Sequence, residues 1–104
     1  METQTPVYLL ALLSVRDMAS FQAGYVGPLK AINERHGVEA VVATPKLQAI
    51  EGELSENLAA VLRFPSQEAL DAWYADPDYQ PLIAARQDAT DLSVSRLIAL
   101  TPMT

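Results

Sequence analysis

The chain has 104 residues, of which 50% are hydrophobic and 19% are charged, so one domain is expected over residues 1–104, with its core at about 7–100. It contains no cysteine and carries a net charge of -6 at pH 7. The composition excludes disulfides, thiolate chemistry and cysteine-ligated metals, and the negative charge disfavours binding to a nucleic-acid backbone.

The sequence also argues against a membrane segment, a metal and a bound cofactor. Its first apolar run is far shorter than the roughly 20 residues of a membrane-spanning helix. Residues 1–6 lack the basic start of a signal peptide, so a cytoplasmic location is expected. A lone histidine disfavours a transition-metal site, and the glycine-rich loops that hold nucleotide phosphates are missing.

The first third of the chain predicts a strand followed by a helix. Residues 7–15 form a nearly continuous apolar run of strand length. Asp17 suits the N-cap of a helix, and Gly37 suits the left-handed position that ends it. Pro28 lies inside this helix close to two glycines, so a kink rather than a stop is expected. Apolar residues recur along the helix at near-helical spacing: Phe21, Tyr25, Leu29 and Ile32.

The remainder predicts three strands and two helices. Strands are expected at residues 38–44, 58–64 and 92–100, with a long connection at 45–57. Ser66 is expected to cap a helix that ends at Asp76-Pro77. Asp78 is expected to cap the last helix, which places Pro81 in its first turn.

The order strand, helix, strand, strand, helix, strand predicts an α+β fold of the ferredoxin-like βαββαβ type with a four-stranded antiparallel sheet. Helices in this order cover one face of the sheet. The first strand is nonetheless apolar on both faces, with Leu9 and Ala11 on one and Leu10 and Leu12 on the other. We therefore expect a second copy of the chain to bury the other face, which gives a homodimer.

An ordered set of residues over about 7–100 resembles a known family. The set is Asp17, Tyr25, Gly37, Glu51-Gly52, Phe64-Pro65-Ser66, Trp73-Tyr74, Pro77, Tyr79 and Arg86. It is similar to the set found in the small bacterial proteins of domain of unknown function thirteen-thirty, which usually have Gly-Gly where this chain has Gly37-Val38. The resemblance implies a dimeric α+β barrel, in which two ferredoxin-like protomers pack sheet against sheet. It implies no particular activity, and fold alone transfers none.

Arg86 is the leading candidate for a functional residue. It lies seven residues after Tyr79 and therefore on the same face of a helix. That face is expected to point toward the sheet. Its guanidinium could hold a carboxylate or enolate through two hydrogen bonds, or it could form an ion pair with Glu51 of the long connection. Glu51, followed by Gly52, could itself be a general base or part of a simple turn.

His36 is a second candidate for proton transfer, because an unperturbed histidine titrates near neutral pH. Its position just before Gly37 also suits a residue that stabilises the C-terminus of a helix through the macrodipole. The sequence leaves both interpretations open.

Aromatic residues and two strand arginines complete the candidate site. Tyr25, Tyr79 and Trp73 could line a ligand pocket or could simply belong to the core. Arg63 and Arg96 interrupt apolar strands, so each is expected to be buried against Glu39 or a carboxylate across the dimer, and Arg63 is also a candidate for substrate binding.

Three functions fit these residues. The first is a cofactor-independent enzyme acting on a small aromatic or carbonyl compound, in which Arg86 stabilises negative charge and Glu51 or His36 moves a proton. The second is a small-molecule carrier or sensor that uses the same pocket, a mostly apolar cleft between helices and sheet lined by Tyr25, Tyr79 and Arg86 with Glu51 nearby. The third is a structural dimer whose polar residues only fix the long connection.

Overall fold

The computed structural model describes residues 5–103. Its elements follow one another as β1 (Val7–Leu13), α1 (Met18–Phe21), a π-helical turn (Gln22–Val26), α2 (Gly27–Arg35), β2 (Glu39–Thr44), β3 (Leu58–Phe64), α3 (Gln67–Ala75), α4 (Gln80–Ala89) and β4 (Arg96–Leu100). The strands form one antiparallel sheet in the order β2-β3-β1-β4. This is the predicted ferredoxin-like α+β fold. The expectation about a signal peptide falls largely on residues 1–4, which lie outside the described residues.

Several predicted helix ends are confirmed by their hydrogen bonds. The Ser20 N–H donates to the Asp17 carboxylate at 3.1 Å, and the Ala69 N–H donates to the Ser66 hydroxyl at 3.1 Å. Gly37 has a φ of 69°, the left-handed conformation that ends a helix with least strain in glycine. The chain therefore enters and leaves the helices where the capping residues predict.

The prediction that Asp78 caps the last helix is wrong. Helix α4 begins at Gln80, after Tyr79, and the Asp78 N–H instead donates to the Asp76 carboxylate at 2.9 Å. Asp76 thus organises the turn between α3 and α4 through its own side chain, and Pro81 still lies in the first turn of α4.

Three strands are shorter than predicted. β1 ends at Leu13, and Val15 forms only an isolated bridge with Thr90. β2 begins one residue late, at Glu39, because Gly37 turns the chain before it. β4 begins at Arg96 because the Asp91 carboxylate accepts hydrogen bonds from the Ser93 N–H and hydroxyl, which fold residues 91–94 into a turn.

The first helical segment continues through Pro28, as predicted. The distortion takes the form of a π-helical turn at Gln22–Val26, in which the Gly27 N–H donates to the Gln22 carbonyl. Pro28 lies in the first turn of α2, directly after this π-helical turn.

The helices cover one face of the sheet and leave the other open. On the covered face, Leu9, Leu62 and Phe64 belong to the buried core. On the open face, cross-strand pairing places one apolar residue from each strand side by side: Val42, Val61, Leu10 and Ile98. Val42 and Ile98 are 48% and 37% exposed, so this row is a continuous apolar surface.

Candidate functional site

Three residues predicted from sequence meet between the helices and the sheet. Tyr25 lies in the π-helical turn, Tyr79 immediately precedes α4, and Arg86 lies in the last turns of α4. The two tyrosine hydroxyls are 2.8 Å apart, and the Arg86 Cζ lies 5.8 Å from the centroid of the Tyr25 ring. All three are buried, with exposures of 7%, 0% and 7%. We call these residues the Tyr–Arg cluster.

The Arg86 guanidinium is buried without an acidic partner. Within residues 5–103, no carboxylate lies within 4.0 Å of it, and its Nε has no hydrogen-bond acceptor. Glu51, the partner considered from sequence, is exposed on the long connection. A buried cation without a counter-ion is costly, which makes this guanidinium available to an anion from outside the chain.

The tyrosines of the cluster are neutral donors. Burial, followed by the proximity of Tyr79, raises the pKa of Tyr25 well above its usual range, and Arg86 only partly opposes this effect. Burial also raises the pKa of Tyr79, while its hydrogen bond with Tyr25 and the charge of Arg86 oppose the rise. Both hydroxyls therefore keep their protons at neutral pH and can donate hydrogen bonds.

A cavity of about 380 Å³ lies beside Arg86. Its lining combines Arg86 and Gln87 with the rings of Trp73 and Tyr74 and the apolar side chains of β1, β4 and α3. A volume of roughly 300 to 1,000 Å³ is typical of small-molecule sites. The lining of this one presents polar and apolar surface in similar amounts. We call this space the Arg86 cavity.

Trp73 supports the cavity from the core. Its indole N–H donates to the side-chain carbonyl of Asn33 at 2.8 Å. The centroid of its ring lies 4.3 Å from that of Tyr79 and 5.2 Å from that of Phe64. The side chain is fully buried. Trp73 is thus both a core residue and part of the cavity wall, so the two interpretations from sequence are not exclusive.

His36 lies at a different place, where α2 meets the turn between α3 and α4. Its Nε2 is 2.8 Å from the Asp76 Oδ2, and the same oxygen accepts a hydrogen bond from the Arg35 guanidinium at 2.7 Å. Asp76 is almost completely buried. The histidine therefore belongs to a charged cluster that fixes helix packing, and this arrangement supports a structural role.

The same cluster predicts a stability change in acid. The hydrogen bond from His36, aided by the Asp78 N–H and Arg35, lowers the pKa of Asp76 to about 2. A lowered pKa stabilises the folded chain above the ordinary carboxyl range, and this contribution disappears as pH falls toward 2. We expect Asp76→Asn to melt at a lower temperature than the wild type at pH 7, and this difference to shrink between pH 4 and 2. Thermal melts across this range test it; a difference independent of pH would contradict it.

Arg63 and Arg96 are not buried, contrary to expectation. Both lie exposed on the open face of the sheet, because the residues next to them in each strand point to the helices. Arg96 pairs with Glu56 at 3.0 Å, and Arg63 is opposite Glu39 in the strand register. Arg63 is therefore on the other side of the sheet from the Tyr–Arg cluster.

The sequence does not reveal the roles of Asn33 and Asp76, which fix the surroundings of the site. Asn33 holds Trp73 of the cavity wall, and Asp76, which predicts only a helix stop, holds the turn before α4. Their contacts join residues 40 and 41 positions apart, which local patterns do not reveal.

The described part of the chain offers neither a group of three or more potential metal ligands nor a helix that could span a membrane.

Comparison with known families gives the chain its classification. The family model named "Domain of unknown function (DUF1330)" matches residues 6–99. The chain belongs to this family. No curated protein matches it. The sequence set from Asp17 to Arg86 therefore identified the family correctly, and all three residues of the Tyr–Arg cluster of this DUF1330 chain lie within the matched region.

Solved structures show the same fold. A protein of unknown function from Rhodopseudomonas palustris, RPA0582, is 25% identical with a TM-score of 0.80, over 97% of this chain and 85% of that one. A dimeric ferredoxin-like protein of unknown function from Jannaschia sp. CCS1 is 13% identical, with a TM-score of 0.76 over 93% and 99%. SnoaB, a cofactor-independent oxygenase from Streptomyces nogalater, is 16% identical with a TM-score of 0.66 over 96% and 95%.

Proposed function

We propose that the protein is a homodimer that buries its open sheet face. The apolar row of Val42, Val61, Leu10 and Ile98 supports this arrangement, because an isolated chain would leave it in water. The Jannaschia neighbour is described as dimeric and ferredoxin-like, which is consistent with the same assembly.

The dimer is tested by light scattering at micromolar concentration, where a mass about twice the 11.3 kDa of the chain is expected. Leu10→Glu places a charge in the middle of the row and is expected to shift the mass toward that of one chain. Glu68→Lys, on the exposed side of α3, is the control and is expected to leave the dimer intact. A stable wild-type monomer at this concentration would contradict the proposal.

We further propose that the Arg86 cavity binds a small aromatic or carbonyl compound that carries or develops negative charge. The observation that carries this proposal is a buried guanidinium at the wall of a cavity, with no acidic partner among residues 5–103. A carboxylate, phenolate or enolate would satisfy that charge through parallel hydrogen bonds. The apolar and aromatic walls would accommodate the uncharged part of the same molecule.

The reaction proposed for this site is a cofactor-independent proton transfer, isomerisation or monooxygenation. The substrate passes a proton to water, and Arg86 stabilises the resulting anion, which lowers the barrier to that loss. In the monooxygenation, molecular oxygen is the oxidant that reacts with this anion. SnoaB has a similar fold and is described as a cofactor-independent oxygenase, which is consistent with this class of reaction at the Arg86 cavity.

A carrier or sensor without catalysis is the second candidate. It is favoured by the positions of the possible bases, since Glu51 is exposed on the long connection and His36 is held by Asp76. Both candidates use the same binding site, and they differ in whether a bound compound is changed.

The test is a thermal-shift screen of aromatic carboxylates, phenols and 1,3-dicarbonyl compounds, followed by oxygen-uptake and product assays with each compound that binds. Binding with turnover supports the enzyme, and binding without turnover supports the carrier. If no compound stabilises the protein, the structural dimer becomes the better explanation and the binding proposal fails.

A further inference from the structure

A second cavity, of about 320 Å³, lies between the first helical segment and the sheet. Its roof includes Phe21, Tyr25 and Leu29. Its floor includes three alanines that strand pairing places side by side on β1, β3 and β2: Ala11, Ala60 and Ala43. We call these three residues the alanine row. Larger side chains at these positions would fill the space above the sheet.

The second cavity adjoins the Arg86 cavity. Leu9 and Leu97 contribute to the lining of both. Tyr25 lines the second cavity and Arg86 lines the first, and these two side chains face each other with 5.8 Å between the guanidinium carbon and the ring centroid. Leu9, Leu97 and the Tyr25–Arg86 contact therefore form the boundary between the two cavities, and a ligand that occupies both has to pass these side chains.

The two cavities differ in chemistry. Arg86 gives the first a buried positive charge whose Nε has no acceptor in the part of the chain that the structure describes. The second is lined mainly by aliphatic and aromatic side chains. Its polar members include Gln22 and Lys30, which are exposed, and Asn33, which already accepts the indole hydrogen bond of Trp73. An apolar cavity of about 150 Å³ is enough to bind benzene, so the second cavity has room for a larger apolar group.

We infer that the ligand is an elongated amphipathic acid or enolate, with its charged head at Arg86 and an apolar tail above the alanine row. This inference rests on the proposed function, because it takes the Arg86 cavity as the binding site for the head. It adds a substrate class: molecules that extend past Leu9 and Leu97 bind more tightly than compact ones.

Benzoate and its 4-alkyl derivatives from methyl to hexyl are suitable probes, with dissociation constants measured by calorimetry. Burial of each added methylene in an apolar site is expected to tighten binding by about threefold to fourfold until the second cavity is full. Ala60→Leu fills the middle of the alanine row and is expected to remove this gain with chain length while benzoate binds as before.

Two further variants keep the test decisive. Ala43→Leu, on the edge strand β2, makes the same test if Ala60→Leu fails to fold. Ala99→Leu is the matched control, because Ala99 lines the Arg86 cavity and is absent from the lining of the second one. It is expected to weaken benzoate and its longer derivatives by the same factor.

The outcomes separate this inference from the proposed function. If benzoate binds in an Arg86-dependent way but alkyl length has no effect, the tail site is wrong and the head site remains. If the filling variants keep the full gain with chain length, the tail lies elsewhere and the inference is overturned. If neither benzoate nor any derivative binds, both proposals fail for this class of ligand.

Discussion

Arg86→Leu is expected to weaken the binding of an anionic ligand by about tenfold to a hundredfold, because a hydrogen bond to a charged group contributes roughly 1.5 to 3 kcal/mol. The same change is expected to leave the free protein as stable as the wild type, or slightly more stable. The guanidinium has no carboxylate partner within residues 5–103, so its removal leaves no opposite charge unpaired. Urea denaturation and thermal-shift titration measure the two effects separately.

Arg16→Leu is the matched control for this variant. Arg16 is also an arginine, but it is exposed and hydrogen-bonds only weakly, at 3.4 Å, to the Asp88 carbonyl. We expect this control to change neither stability nor ligand binding appreciably. Should Arg86→Leu sharply lower the unfolding free energy of the free protein, Arg86 would have an essential structural partner, and its assignment to a ligand site would lose its main support.

Trp73→Ala is expected to lower the free energy of unfolding by about 3 to 5 kcal/mol, the range for removal of a buried large aromatic side chain. The indole is fully buried and contacts both Phe64 and Tyr79, so its removal opens a cavity next to the Tyr–Arg cluster. It also leaves the side-chain carbonyl of Asn33 without the indole N–H donor, which lowers the free energy of unfolding further. Urea denaturation monitored by circular dichroism measures the change.

Tyr74→Ala provides the comparison from the next position of the same helix. Tyr74 is 46% exposed, and we expect its loss to lower the unfolding free energy by roughly 1 kcal/mol or less. Equal effects from the two variants would mean that the core contacts of Trp73 contribute no more than surface contacts do.

The fold was predictable because its signals are local. Apolar runs gave the strands, and Asp17, Ser66 and Gly37 marked helix ends through bonds to residues at most a few positions away. Strand ends were less predictable, since β4 is shortened by the bonds that Asp91 forms with Ser93. The turn built on this contact removes residues 92–95 from the predicted strand.

The candidate site was predictable only in part. Tyr25, Tyr79 and Arg86 were selected by helical spacing and by the family resemblance, and the structure brings them together. Arg63 was predicted at the same site, but it lies on the other face of the sheet. Apolar neighbours in the sequence do not reveal on which face of a sheet a side chain lies. The link from His36 to Asp76 depends on how helices pack, so spacing along one helix could not reveal it.

The π-helical turn at Gln22–Val26 makes the site sensitive to the insertion or deletion of a residue in this part of the chain. In a regular α-helix each residue advances by about 100°, so residues four apart differ by about 40° in direction. Phe21, Tyr25 and Leu29 would then spread over about 80°, yet all three are buried on one side. The Gly27 N–H donates to the carbonyl of Gln22, five residues back rather than four, so the turn holds one extra residue. The extra residue reduces this spread in direction. Loss of one residue here would rotate the preceding helix relative to α2, so the direction of the Tyr25 hydroxyl depends on the number of residues in this turn as well as on their identity.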